Sequence, residues 1–133
     1  HSENILVTRE GELVLIDHQD ALMGPSCYDL ASLAVEAYRR ADAARYRAIK
    51  ERWTVLDPTS APFFDAVALQ RALKALGTFG YQTTTRGNPV YMQYVPRTLA
   101  YVRRTLGRDP RFARLAELLG GLVDGLRYNS PPS

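Results

Sequence analysis

Leu13-Val14-Leu15-Ile16-Asp17-His18-Gln19-Asp20-Ala21 decides how the rest of the chain is read. Four apolar residues run straight into a carboxylate, and polar residues gather behind it. That is the pattern of a buried strand delivering an acid at its open end. Upstream, Asn4-Ile5-Leu6-Val7 begins a shorter strand with a polar residue at its front edge. Thr8-Arg9-Glu10-Gly11 joins the two as a turn ending in Gly. A hairpin of this kind brings Asn4 and Asp17 together. An amide oxygen and a carboxylate are hard ligands, suited to a magnesium ion that also holds phosphate. Turn chemistry by itself also puts Asn and Asp at hairpin ends, so on spacing alone a purely structural explanation stands beside the chemical one.

The 133 residues allow one domain with a core, read here as residues 1–128, followed by a Pro/Ser tail over Asn129 to Ser133 expected to fray. One cysteine, Cys27, excludes an intramolecular disulfide and fits a reducing, cytoplasmic compartment. No apolar run is long enough to span a membrane, so no membrane partner is expected. The net charge of +3 is mild, and its excess sits on Arg39, Arg40, Arg45, Arg47, Lys50 and Arg52. Such a run reads as a solvated helix face. Nucleic-acid binding asks for a denser basic cluster with aromatic platforms beside it, and is not expected. The chain opens at His1 and enters its first strand almost at once, as expected of the back part of a longer protein.

Beyond the hairpin the pattern is helical. Gly24-Pro25 breaks the chain, and Ser26 with Asp29 three residues on has the spacing of a capping box. Leu30, Leu33, Ala34, Ala37 and Tyr38 then share one helix face, with a break near Ala41-Asp42 and a second helix from Asp42 to about Trp53. Leu56 to Ser60 is a loop. A helix from Ala61 to about Thr83 contains Gly77 and Gly80, which either weaken it or admit another backbone. A turn over Thr84 to Pro89 leads to a helix from Tyr91 to Leu106, in which Pro96 implies a kink or a late start. Gly107-Arg108-Asp109-Pro110 ends it. The last helix, Arg111 to Leu126, places Leu115, Leu118, Leu119, Leu122 and Val123 inward. The fold class is therefore mainly α with a small β-hairpin, and the hairpin must pack on the helices because a lone pair of strands is marginal.

These motifs carry a resemblance. His1-Ser2-Glu3-Asn4-Ile5-Leu6-Val7 resembles the second half of the H-x-D-x-H-x-x-N motif of the aminoglycoside phosphotransferase and choline kinase superfamily, which shares the protein-kinase-like fold. Leu15-Ile16-Asp17 resembles its metal-binding strand end, and Gly24-Pro25 with Tyr28-Asp29-Leu30-Ala31-Ser32-Leu33 its next helix start. Leu69 to Gly77, Arg86 to Tyr91 and Val95-Pro96-Arg97 are similar to the bacterial sugar kinases that phosphorylate the anomeric hydroxyl of N-acetylmuramate and N-acetylglucosamine. The resemblance implies the C-terminal helical lobe of such a kinase, with Mg2+ and ATP as cofactors of the parent enzyme and a small sugar as substrate.

Carried over residue by residue, it makes Asn4 and Asp17 the ligands of magnesium and, through it, of the nucleotide phosphates. His1 braces the loop. Asp29 steadies the loop from the helix start, or serves only as a capping residue. Asp20 is a second acid near the metal, a sugar-hydroxyl acceptor or a plain loop carboxylate. His18 departs from the family's usual Phe. Arg71 and Lys74 face either substrate or solvent. The family's catalytic base, an Asp two residues before the second His, would precede His1, so no catalytic residue is assigned and this stretch by itself is expected to be inactive. The alternatives are an aminoglycoside or choline-type phosphotransferase, or a non-catalytic interaction module. A polycationic aminoglycoside would want an acidic cleft, which the basic helices argue against. A lobe without its partner also exposes apolar surface that favours self-association.

Overall fold

A computed structural model describes residues 2–17, 23–36 and 43–123. The expectations placed on His1, His18, Asp20, Ala37, Tyr38, Arg39, Arg40 and the tail lie outside them. A short 3-10 turn, Ser2–Asn4, leads into strand β1 (Ile5–Val7), which pairs antiparallel with β2 (Leu13–Leu15). The register sets Ile5 opposite Leu15, Leu6 opposite Val14 and Val7 opposite Leu13. Helices α1 (Tyr28–Ala34), α2 (Ala43–Leu56), α3 (Phe64–Thr84), α4 (Val95–Arg108) and α5 (Ala113–Leu122) follow. The mainly helical class with one hairpin is thus what the structure shows. No described helix is long and apolar enough to cross a membrane.

The turn between the strands is closed by its own hydrogen bonds. Thr8 donates its amide to the Glu12 carbonyl, its carbonyl accepts from the Gly11 amide, and its hydroxyl accepts from the Glu12 amide. Gly11 sits at φ +87°, a conformation that costs a residue with a Cβ far more.

The chain divides into two compact units, His1–Ala68 and Leu69–Ser133, with the boundary inside α3. In the first, Cys27, Ala31, Phe64 and Ala68 are fully buried. Tyr46 of α2 meets Phe64 edge-on at 5.8 Å between ring centroids. The Tyr46 hydroxyl and Lys50 Nζ both donate to the Asp65 carboxylate, at 2.6 Å each, which fixes α2 against the start of α3. The other basic residues of α2, Arg45, Arg47 and Arg52, are exposed, as a solvated face should be. In the second unit, Phe79 is 1% exposed and lies 5.9 Å from Tyr91 and 5.8 Å from Tyr94. Thr98, Tyr101, Val102 and Leu106 bury one face of α4 at helical spacing.

Three expectations are corrected. The Leu13–Ile16 strand is not buried: exposures run from 41% at Val14 to 71% at Leu13, because a two-stranded sheet of three-residue strands has two faces and the described residues add no third strand to it. The Ser26–Asp29 capping box does not form. Cys27 occupies the cap position of α1, which puts Ser26 one residue too early, and no side chain caps the helix. By contrast, α4 does end within Gly107–Pro110: Gly107 and Arg108 lie in its last turn, and the helix stops there because Asp109, ahead of Pro110, takes extended backbone. The inward face assigned to α5 fails at Leu118, Leu122 and Val123, which are 52%, 81% and 44% exposed, while Leu115 and Leu119 are half-buried.

Other boundaries moved less. A 3-10 turn over Ala61–Phe63 precedes α3, and Pro96 marks a late start, since Pro89–Tyr94 is a 3-10 stretch and α4 begins at Val95. A Cβ added at Gly77 or Gly80 would meet nothing within 4 Å, so neither glycine admits a close backbone.

Candidate functional site

The hairpin brings Asn4 and Asp17 together, as the spacing of the two strands required. The backbone does this first: the Ile16 amide donates to the Asn4 carbonyl at 3.0 Å, which extends the ladder one step past the paired strands. The side chains then meet, with Asn4 Nδ2 donating to Asp17 Oδ2 at 3.0 Å. Asp17 holds φ +60°, a left-handed conformation that Asp tolerates better than most residues because its short polar side chain can bond locally. A β-branched residue there would be strained. The chain therefore turns out of line at the acid, two residues past β2.

The donor set is one amide oxygen and one carboxylate. Among the described residues there is no group of three or more His, Cys, Asp or Glu that could hold a metal. The pair could serve a hard cation that takes most of its ligands from water and phosphate, which is the usual habit of magnesium. It does not build an all-protein cage.

Two side chains to which the sequence assigned no place at the site bear on this end of the fold. Glu36, just past α1, is 9% exposed, and its Oε1 accepts the Ser2 backbone amide at 2.9 Å across 34 residues of chain. Its other oxygen is buried and accepts no hydrogen bond among the described residues. An acid behind Leu33-Ala34-Val35, an otherwise apolar stretch, was the available signal. Asp57 gathers the loop before α3: its carboxylate accepts from the Ser26 hydroxyl at 2.6 Å, and from the amides of Thr59 and Ser60 at 3.2 Å. The Ser26 bond, then those of Thr59 and Ser60, hold its carboxyl well below the usual carboxylate range. The signal was Asp-Pro-Thr-Ser, an Asx-turn pattern read only as a loop. Cys27 is buried beside this tether, and that burial pushes its thiol pKa up.

The remaining expected residues are placed as follows. Asp29 lies exposed in the first turn of α1, where its charge favours the helix dipole. Lys74 is exposed on α3, and Arg71 is half-buried with its Nε enclosed.

Residues 1–64, which hold the hairpin and α1, match the phosphotransferase enzyme family. Over those residues the chain carries that family's pattern. Its similarity to individual phosphotransferases runs further. It is 32% identical over 124 residues to the N-acetylmuramate/N-acetylglucosamine kinase of Pseudomonas putida, across 85% of this chain and 37% of the relative. The enzyme of the same name from Neisseria meningitidis is 32% identical over 132 residues, across 88% and 39%. That of Caulobacter vibrioides is 29% identical over 124 residues, across 86% and 34%. The chain therefore spans a little over a third of the length of the curated relatives it matches. No solved structure gives a significant match. The mostly helical architecture with a two-stranded hairpin agrees with a kinase-like C-terminal lobe of this phosphotransferase family.

Proposed function

We propose that this chain is the metal- and phosphate-handling lobe of a kinase that transfers the γ-phosphoryl group of ATP to a sugar hydroxyl, a cell-wall amino sugar above all. The observation that carries the reading is the Asn4–Asp17 contact at the open end of the hairpin. Phosphoryl transfer asks the protein mainly to position groups and neutralise charge, so two oxygen-bearing side chains on one hairpin are apt equipment. Bound magnesium would supply the charge neutralisation. The chain's own part is to hold the Asn4 amide and the Asp17 carboxylate side by side, through the paired strands behind them. The named activity of the relatives supports the acceptor class.

The test is ATP-dependent phosphorylation of N-acetylmuramate and N-acetylglucosamine by the longer protein that contains this chain, with kanamycin and choline as competing acceptors. Asp17→Ala is expected to lower kcat at least about a hundredfold, in line with removal of one preorganised electrostatic group. Turnover of the aminoglycoside or of choline in preference to the sugars would overturn the acceptor assignment. The 133 residues alone are expected to show no turnover, because none of the described residues is assigned as general base. A chain that phosphorylates sugar by itself would refute that.

A further inference from the structure

We infer that Glu36 is a positioning residue for the Asn4–Asp17 pair, and this rests on the reading of that pair as a metal site. The argument is one of anchorage. Asn4 is the last residue of the 3-10 turn Ser2–Asn4. A three-residue turn has little stability of its own, because so few hydrogen bonds offset the backbone entropy it gives up. Its far end is fixed by the hairpin, through the Ile16 amide on the Asn4 carbonyl. Its near end is fixed by Glu36, whose Oε1 takes the Ser2 amide at 2.9 Å. Between these two points Asn4 has one place to be, and that place is 3.0 Å from Asp17.

The choice of an acid for this task has a physical sense. Burying a carboxylate is costly unless donors meet it, and Glu36 is nine-tenths buried. A carboxylate accepts from a backbone amide more strongly than a neutral oxygen does. The second oxygen is enclosed and has no partner among the described residues, so the Ser2 amide is the donor those residues offer this carboxylate, and the two are held to each other. Glu36 touches no reacting atom. Its effect on chemistry would pass through the turn, as that of residues behind a metal ligand does.

The experiment uses the whole 133-residue chain and Mn2+ alone, which broadens nearby resonances in 15N-resolved spectra. In the unmodified chain, Mn2+ should broaden the side-chain amide of Asn4 and the backbone amide of Asp17. Absence of that effect would sink the metal-site reading on which the inference rests. Glu36→Ala should raise the Mn2+ concentration needed about tenfold or more, the usual size of such outer-shell losses. Ser2→Pro removes the donor while leaving α1 untouched, and proline is tolerated at a first helical position, so it should produce the same loss. It also decides the matter should Glu36→Ala fail to fold. Glu36→Gln keeps an oxygen able to accept from Ser2 and should stay within about threefold of the unmodified chain, a loss well short of a typical outer-shell one. Unmodified broadening at Asn4 and Asp17 with no change in the Ala and Pro variants would overturn the inference alone. So would a Gln variant as weak as the Ala one. The Trp53 fluorescence spectrum, sensitive to the Trp53–Ser60 hydrogen bond in the same unit, serves as the control for folding.

Discussion

Asp17 combines two demands at one position. Its carboxylate meets Asn4, and its backbone turns left-handed at φ +60°. Glycine satisfies the second demand better and the first not at all. Asp17→Gly should therefore leave stability unchanged or raise it by up to about 1 kcal/mol in thermal unfolding, while abolishing the response to Mn2+. A fall in stability of similar size would mean that the contact with Asn4 holds the hairpin together. Asp57 gives a pH signature. Its carboxyl is depressed when folded, so its contribution is complete above its unfolded value, about pH 4, and runs down as the pH falls from there through the folded value. The difference in Tm between the unmodified chain and Asp57→Ala should be flat from neutral pH to about pH 4 and shrink in stronger acid. A difference that instead grows in acid would contradict the tether described here.

Among the elements, α4 and α5 separate what periodicity reveals from what it hides. The stripe Thr98, Tyr101, Val102 and Leu106 in α4 is buried as its spacing implies. The α5 stripe has the same kind of spacing, yet Leu122 is 81% exposed. Truncation should expose the contrast in denaturant melts. Phe79→Ala, which removes a ring enclosed by Tyr91 and Tyr94, should cost about 3–5 kcal/mol, and Leu122→Ala less than about 0.5. The position and partnership of Asn4 and Asp17 were legible because strand pairing depends on neighbours a few residues apart. The order of the helices was legible for the same reason. The bonds from Ser2 to Glu36 and from Ser26 to Asp57 were not, since each joins residues more than thirty positions apart and no local pattern encodes the partner. Burial of the hairpin was misjudged because apolar sequence reports a preference for cover, and cover must come from another layer.

For the whole molecule, that uncovered hairpin is the dominant surface fact. Leu6, Val7, Leu13, Val14, Leu15 and Ile16 are all at least 41% exposed, on strands to whose outer edges the described residues add no further strand, and the chain carries a net charge of only +3. Open apolar edges with little charge to keep copies apart favour edge-to-edge pairing. Sedimentation velocity should show association that grows with concentration, and Leu13→Lys with Leu15→Lys should return the chain to a monomer. Association undiminished in the double variant would place the sticky surface elsewhere. The register of the hairpin also says how this region can vary over descent. Residues added at the Thr8–Gly11 tip lengthen a free loop and leave Ile5 facing Leu15, so the contact behind them is undisturbed. One residue lost from either strand turns every later side chain to the opposite face and carries Asn4 away from Asp17. Length can therefore drift at one end of the hairpin, whereas the other end must be inherited residue for residue.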